Sequence, residues 1–370
     1  MKNWKEIRYA GNTEIMEWAA GQPWADAMRS CVQDSEHHAE GDVWTHTCMV
    51  AAELEKLAEW PELSRDEQLQ LLFTAIFHDT SKPETVVIDA DGKVHSPRHS
   101  LVSTGICRRE LQRLQCDLAT RESICGLVRY HGRPVFIQHS RKPEDELISL
   151  SWITSQKLLH LFALADYRGR ISKSSNRTED DLHLWKLVAE ENHCLDQPYA
   201  FKNDHARFLY FRKQLSSRYY TPIEQYRCSV TIMAGLPGAG KDTWLARNRP
   251  DLKVVSLDDL RRDWLIDPTD NQGKVIQAGR ERCREYLREG RDFAFNATNT
   301  IKMTRMRWID LCADYGARIE IVYLEPPLDE IFRQNSGRKF PVPASVIQKL
   351  AEKIEPPDWT ECHSFLMVSE

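Results

Sequence analysis

The sequence lacks the paired cysteines that would signal a zinc knuckle or a disulfide scaffold. Its ten cysteines are scattered singly, at Cys31, Cys48, Cys107, Cys116, Cys125 and beyond, with no C-x-x-C pair. Buried free thiols are the reading this favours. It also lacks any uninterrupted apolar run near the roughly 18–20 residues that span a bilayer. The opening Met1-Lys-Asn-Trp-Lys-Glu carries no apolar signal segment, so a cytoplasmic location with no membrane attachment is expected. A basic excess is missing too: 50 Lys and Arg stand against 55 Asp and Glu, a formal net charge of −5. That argues against a bulk cationic nucleic-acid binder but leaves room for a local groove that holds a strand end. Internal repeats, low-complexity stretches and a Lys-x-Asp-Gly nucleotidyl-transfer motif are all absent.

What is present is enough for two or three domains, with 370 residues of which 41% are hydrophobic. Residues 1–220 read as helical, with a core at about 40–170 and a helical extension to 220. Apolar residues recur at three-to-four spacing in Val43–Glu59, Arg65–Phe77, Ser100–Gln115, Arg121–Tyr130 and Ser151–Tyr167. Breakers such as Trp60-Pro61 and Arg133-Pro134 separate them, and Thr85–His95 suits one small hairpin around Asp91-Gly92. Residues 221–370 change character. Short β-rich runs at Cys228–Ala234, Leu252–Ser256, Asp292–Asn296 and Arg318–Leu324 alternate with helical stretches Asp242–Asn248, Lys274–Glu289, Lys302–Tyr315 and Pro343–Ile354. That alternation predicts a parallel sheet with helices on both faces. The expected architecture is an all-α bundle followed by an α/β domain. The basic, aromatic segment Arg207–Tyr226 between them suits an amphipathic connector better than a nucleic-acid platform.

The strongest motif is Gly235-Leu-Pro237-Gly238-Ala239-Gly240-Lys241-Asp242-Thr243, which follows a strand and opens a helix. Glycines let backbone N–H groups converge on phosphate oxygens, the helix N-terminus adds positive potential, and Lys241 reaches the β/γ-phosphates of ATP. Asp242 stands where a P-loop ordinarily has Ser or Thr. A carboxylate there repels triphosphate unless Mg²⁺ intervenes, so strict Mg²⁺ dependence is expected. Asp258 and Asp259 close the next strand; Asp258 is assigned to chemistry, taking a proton from an attacking hydroxyl, and Asp259 to capping or structure. Thr298 and Asn299 end another strand and suit contact with acceptor or phosphates, with a simple turn equally open. The run Arg333–Pro343 reads as a lid that brings Arg338 to the transferring phosphoryl group, or as a solvated charge run.

In the first half, His46, the doublet His78-Asp79, His99, His131 and Asp166 each fall on or at the end of a predicted helix. Any one histidine alone suits packing or the surface. Together, histidines and carboxylates in this order fit a divalent transition metal that activates water. The remaining histidines, His37 and His38 among them, have no place in the pattern.

Residues 228–370 resemble the kinase module of phage-type polynucleotide kinase-phosphatases, through the P-loop, Asp258-Asp-Leu-Arg261, Thr298-Asn299 and the Arg lid before Val342-Pro343. That resemblance implies Asp258 as general base, Arg261 on the acceptor-side phosphate, and Lys241 with Arg338 stabilising the phosphoryl group. The first half resembles the HD phosphohydrolase superfamily, through Phe77-His-Asp-Thr-Ser-Lys82, Pro97-Arg-His99 and Ala165-Asp-Tyr-Arg-Gly-Arg170. It implies His46, His78, Asp79 and Asp166 as ligands of one metal. His99 and His131 would hold a second metal or a substrate phosphate, and Lys82 with Arg98 would neutralise the scissile phosphate. The joined arrangement resembles the bacterial HD-Pnk family of RNA end-healing enzymes. Its members remove a 2′,3′-cyclic phosphate or a 2′-phosphate with a transition metal such as Mn²⁺, Ni²⁺, Co²⁺ or Zn²⁺, and phosphorylate 5′-OH ends with ATP and Mg²⁺. Expected partners are RNA or DNA strand ends and a separate ligase. Two readings compete: a nucleotidase fused to a nucleoside or sugar kinase, and an HD hydrolase governed by an ATPase.

Overall fold

The computed structural model describes residues 1, 3–34, 39–172, 178–266 and 270–369; His37 and His38 lie outside the described residues. Two compact units partition the chain, Met1–Ala200 and Phe201–Glu370. The segment from Phe201 onward, read above as an extension of the first domain, therefore lies in the second unit.

The first unit is helical. Its element Arg65–Phe77 begins where the Ser64 side chain accepts from the Glu67 N–H and Glu67 Oε2 accepts from the Ser64 N–H at 2.8 Å, a reciprocal capping box. Phe73, Phe77 and Phe162 are fully buried beside Trp4 and Trp44. Burial of each such ring contributes about 1.5–3 kcal/mol. The helix expected over Ser151–Tyr167 is Gln156–Arg168, which starts five residues later and follows a separate helix, Pro143–Ser151, at a bend of 111°. Ser155 starts Gln156–Arg168 by accepting from the Leu158 N–H, a local cap that apolar periodicity does not reveal. Gly169 ends that helix against Val43–Leu54; a Cβ on it would lie 2.8 Å from Val50 N, so only glycine permits the approach. That approach brings His46 and Asp166 together. The hairpin around Asp91-Gly92 forms from β1 (Val87–Ile88) and β2 (Val94–His95), paired antiparallel. Among the described residues, no single helix is long and apolar enough to cross a membrane.

The second unit carries a five-stranded, all-parallel sheet in the order β4-β5-β3-β6-β7. The strands are β3 (Cys228–Ala234), β4 (Lys253–Ser256), β5 (Phe293–Asn296), β6 (Ala317–Leu324) and β7 (Ser364–Val368). Central β3 pairs Val230 with Phe293 on one side and Ile319 on the other, and its near-continuous burial reflects a strand covered on both faces. Four strands stand where the sequence places them. β7 and the short helix Leu328–Ser336 were not anticipated. The P-loop, Asp258 and Asn296 all emerge at the carboxyl ends of β3, β4 and β5, the edge where parallel sheets bind ligands.

Candidate active sites

In the first unit, the helix ends aim four imidazoles inward. His78 and His131 are the C-cap residues of Arg65–Phe77 and Leu118–Tyr130. The Nδ1–H groups of both donate three residues back, to Ala75 O and Val128 O, each at 2.8 Å. His99 Nδ1–H donates to Ser96 O at 2.8 Å, and His46 Nδ1–H faces Gly169 O at 3.2 Å and Glu40 Oε1 at 3.1 Å. With Nδ1 committed in His78, His99 and His131, the lone pair of each sits on Nε2, the arrangement metal-binding histidines adopt, while His46 Nε2 is engaged by Asp166.

Those nitrogens converge on Asp79. Asp79 Oδ2 lies 3.2 Å from His78 Nε2 and 4.0 Å from His46 Nε2, while its Oδ1 lies 3.5 Å from His99 Nε2. Two ligand trios result, His46–His78–Asp79 and Asp79–His99–His131, each with its ligand atoms within 4.8 Å of one another. Asp166 Oδ1 accepts from His46 Nε2 at 3.0 Å. His78 Nε2 and Asp79 Oδ1 are buried with no hydrogen-bond partner among the described residues. Buried orphan groups of this kind are costly unless something unites them, and a divalent cation suits the donor set. The six sequence-expected ligands are thus together.

Electrostatics agree. Burial alone would raise the Asp79 carboxyl, yet the His78, Lys82 and His99 charges hold it well below the usual range. Asp166 is likewise held low, burial being overcome by Arg170 and His46. Burial pushes His131 down to about 4, with His78 adding to the effect. For His46 burial is outweighed by the hydrogen bonds to Asp166 and Glu40, which raise it.

A cavity of about 200 Å³ opens beside the centre, lined by Gln33, Lys82, His95, His99 and Arg170 among others. Lys82 Nζ lies 2.7 Å from Asp79 Oδ2 and lines the cavity. Arg98 does not join it: it is exposed and takes a left-handed backbone (φ 62°) to begin helix His99–Arg113. Arg170 lines the cavity, its Nη2 3.2 Å from both Asp166 oxygens. Glu40, whose side chain is 1% exposed, Gln33 and His95 are site residues that sequence reasoning missed. They sit outside any periodic helix, and only folding brings Gln33, Glu40 and His95 to the cluster.

In the second unit, a cavity of about 810 Å³ follows the P-loop from Pro237 through Thr243 and reaches Asp258, Asn296, Thr298 and Arg338. Gly235 and Gly238 hold φ values of +147° and +88°, and a Cβ would meet Leu324 O at 2.4 Å and Ile331 O at 2.7 Å. Both positions therefore require glycine. Lys241 Nζ donates to Gly235 O and Leu236 O at 2.8 and 2.9 Å. Burial lowers its pKa to about 8, opposed by the Asp258 and Asp242 charges. Asp242 accepts from Asn296 Nδ2 at 2.5 Å, which aims the unusual carboxylate from the end of β5.

Asp258 lines the cavity and is ion-paired with Arg261, whose Nε donates to Gln272 Oε1 at 2.7 Å. Asp259 is not a cap: Ser256 Oγ accepts from the Asp259 N–H, and the Asp259 carboxylate pairs with Arg262. Thr298 lines the cavity, but Asn299 does not face it. Its side chain is 2% exposed overall and donates to Met233 O at 2.8 Å, fixing a turn with φ 47°. Arg305, fully buried against Glu361, clamps that turn by donating to Asn299 O at 2.9 Å.

The comparisons with known proteins divide along the same line. A family model described as HD domain matches residues 43–167, and one described as AAA domain matches residues 230–357. A solved structure of a candidate kinase from Chloroflexus aurantiacus J-10-fl is 14% identical over 39% of this chain and 86% of its own, with a TM-score of 0.32. That likeness bears on neither fold nor activity. The chain joins an N-terminal helical HD domain, with its His/Asp cluster, to a C-terminal kinase-like P-loop domain with a parallel sheet.

Proposed function

We propose that this protein heals nucleic-acid ends, the HD unit hydrolysing 2′,3′-cyclic phosphate or 2′(3′)-phosphate termini and the P-loop unit phosphorylating 5′-OH termini from ATP. The observation that carries this reading is the pairing in one chain of a His/Asp cage beside Lys82 and Arg170 with a P-loop cavity that has a carboxylate, Asp258, across from Lys241 and Arg338. Each half handles phosphorus, and the two chemistries complement one another at the two ends of a cut strand.

At the HD site, His46, His78, Asp79 and Asp166 would hold a divalent transition metal, with His99 and His131 completing a second position that shares Asp79. Such an ion, once bound, makes water a usable nucleophile near neutral pH. Lys82 and Arg170 offset the charge that builds on phosphate oxygens. At the kinase site the P-loop amides and Lys241 orient the triphosphate, and Asp242 would hold Mg²⁺. Asp258 receives the proton of the 5′-OH. Arg261 holds the Asp258 carboxylate in place and offers its guanidinium to the acceptor strand, while Arg338 neutralises the transferring group.

The deciding experiment uses RNA with a 5′-OH and a 2′,3′-cyclic phosphate, labelled at each end in turn. With ATP and Mg²⁺ the 5′ end gains phosphate; with Mn²⁺, Ni²⁺ or Co²⁺ and no ATP the 3′ end loses its cyclic phosphate. Phosphorylation of free nucleosides or sugars in preference to the strand would defeat the reading.

A further inference from the structure

Gln33 lies on the cavity beside the His/Asp cluster and is 7% exposed. Its Oε1 accepts from Lys82 Nζ at 2.6 Å. An ammonium can only donate, so this contact fixes which way round the amide sits. The Nε2 group is thereby turned away from Lys82, buried and without an acceptor among the described residues. Arg170 repeats the pattern: Nη2 is spent on Asp166, while Nε is buried without a partner among the described residues. Two unmet N–H donors and one ammonium thus border the same small cavity. Their shared lack is an oxygen-rich anion, and a buried donor left unmet is costly.

We infer that Gln33 is a phosphate-binding residue, its Nε2–H donating, alongside Arg170 Nε–H and Lys82, to non-bridging oxygens of the terminal phosphoryl group presented to the HD site. This deepens the proposed hydrolase reading and rests on it for the substrate's identity. The contact to phosphate itself stands separately. The amide supplies what the two cations do not, a neutral donor whose direction is set before the ligand arrives. Apolar Val86 and Val94 on the same cavity leave the polar side as the anion's seat.

The rival role is a prop that merely steadies Lys82, and a double-mutant cycle separates the two. Inorganic phosphate is the probe, with binding to the full-length, Mn²⁺-loaded protein measured by calorimetry. Gln33→Met, Lys82→Met and the double variant are compared, with bound metal and thermal melting as controls for the fold. Losing a donor to a charged oxygen should weaken binding roughly tenfold, and Gln33→Met should still lose at least threefold in the Lys82→Met background. No further loss in that background would make Gln33 a prop and overturn the inference, as would a wild-type protein that fails to bind phosphate. Should wild type bind phosphate through Gln33 yet release none from cyclic or monophosphate RNA ends, the end-healing reading falls and the Gln33 assignment stands.

Discussion

Asp79 belongs to both ligand trios, and no other side chain among the described residues does. Its two oxygens face different histidines, so its charge is shared where each imidazole serves one side. Asp79→Asn keeps the shape and removes that charge. Divalent binding should fall by more than the roughly 10–100-fold that outer-shell changes cost, with hydrolysis lost in parallel. His99→Ala should keep the His46–His78–Asp79 metal. Metal analysis after desalting checks both, and an Asp79→Asn protein that retained full metal would refute the shared-ligand geometry. In the other unit, Asp258→Ala should lower 5′-phosphorylation by about 10²–10⁴-fold, the usual worth of a positioned base. End-phosphate hydrolysis by the same variant should be unchanged. Wild-type-like kinase turnover would remove Asp258 from its role.

At the scale of elements, the strand that the sequence hid is β7. Its pattern, Ser-Phe-Leu-Met-Val, is half exposed at the sheet edge, and it follows the long segment 325–363 after β6. What holds it is side-chain chemistry just before it. His363 Nδ1 accepts from the Ile319 N–H at 3.0 Å, so its Nε2–H donates to His205 Nδ1 at 3.1 Å. Phe208 stacks on the same ring with centroids 4.1 Å apart. Burial, with the charges of His205, Arg318 and Arg207, lowers the His363 pKa to about 3 from an ordinary 6.5. A histidine depressed in the folded state takes up its proton more readily once unfolded. Stability is therefore full above about pH 6.5 and declines as pH falls toward 3. His363→Asn preserves an acceptor for Ile319 and removes this titration, so its melting temperature should fall less steeply between pH 7 and 4 than that of wild type. Parallel slopes would exclude His363 as the source.

For the whole molecule, the division at Ala200/Phe201 has a measurable consequence. Helix Asp204–Phe211 belongs to the P-loop unit: Arg207 Nη2 donates to Cys362 O and His363 O, at 3.3 and 2.6 Å. A fragment 201–370 should fold and keep kinase activity. A fragment starting at 221 strips out buried Phe208 and Arg207, and should lose on the order of 3–5 kcal/mol, as for deleting a buried aromatic. Equal melting temperatures for the two fragments would return the boundary to 220. Both units were legible in the sequence wherever chemistry follows local order. Glycine spacing sets the phosphate loop, the His-Asp doublet ends a helix, and four β-rich runs alternate with helices, because each depends on neighbours a few residues apart. Folding alone decided the rest: Arg170 beside Asp166 with Arg98 exposed, Asn299 turned inward onto Met233, and Gln33 and Glu40 carried to the His/Asp cluster. Those outcomes depend on which distant backbones approach closely enough to share one charge or one carbonyl, and linear order does not encode that distance.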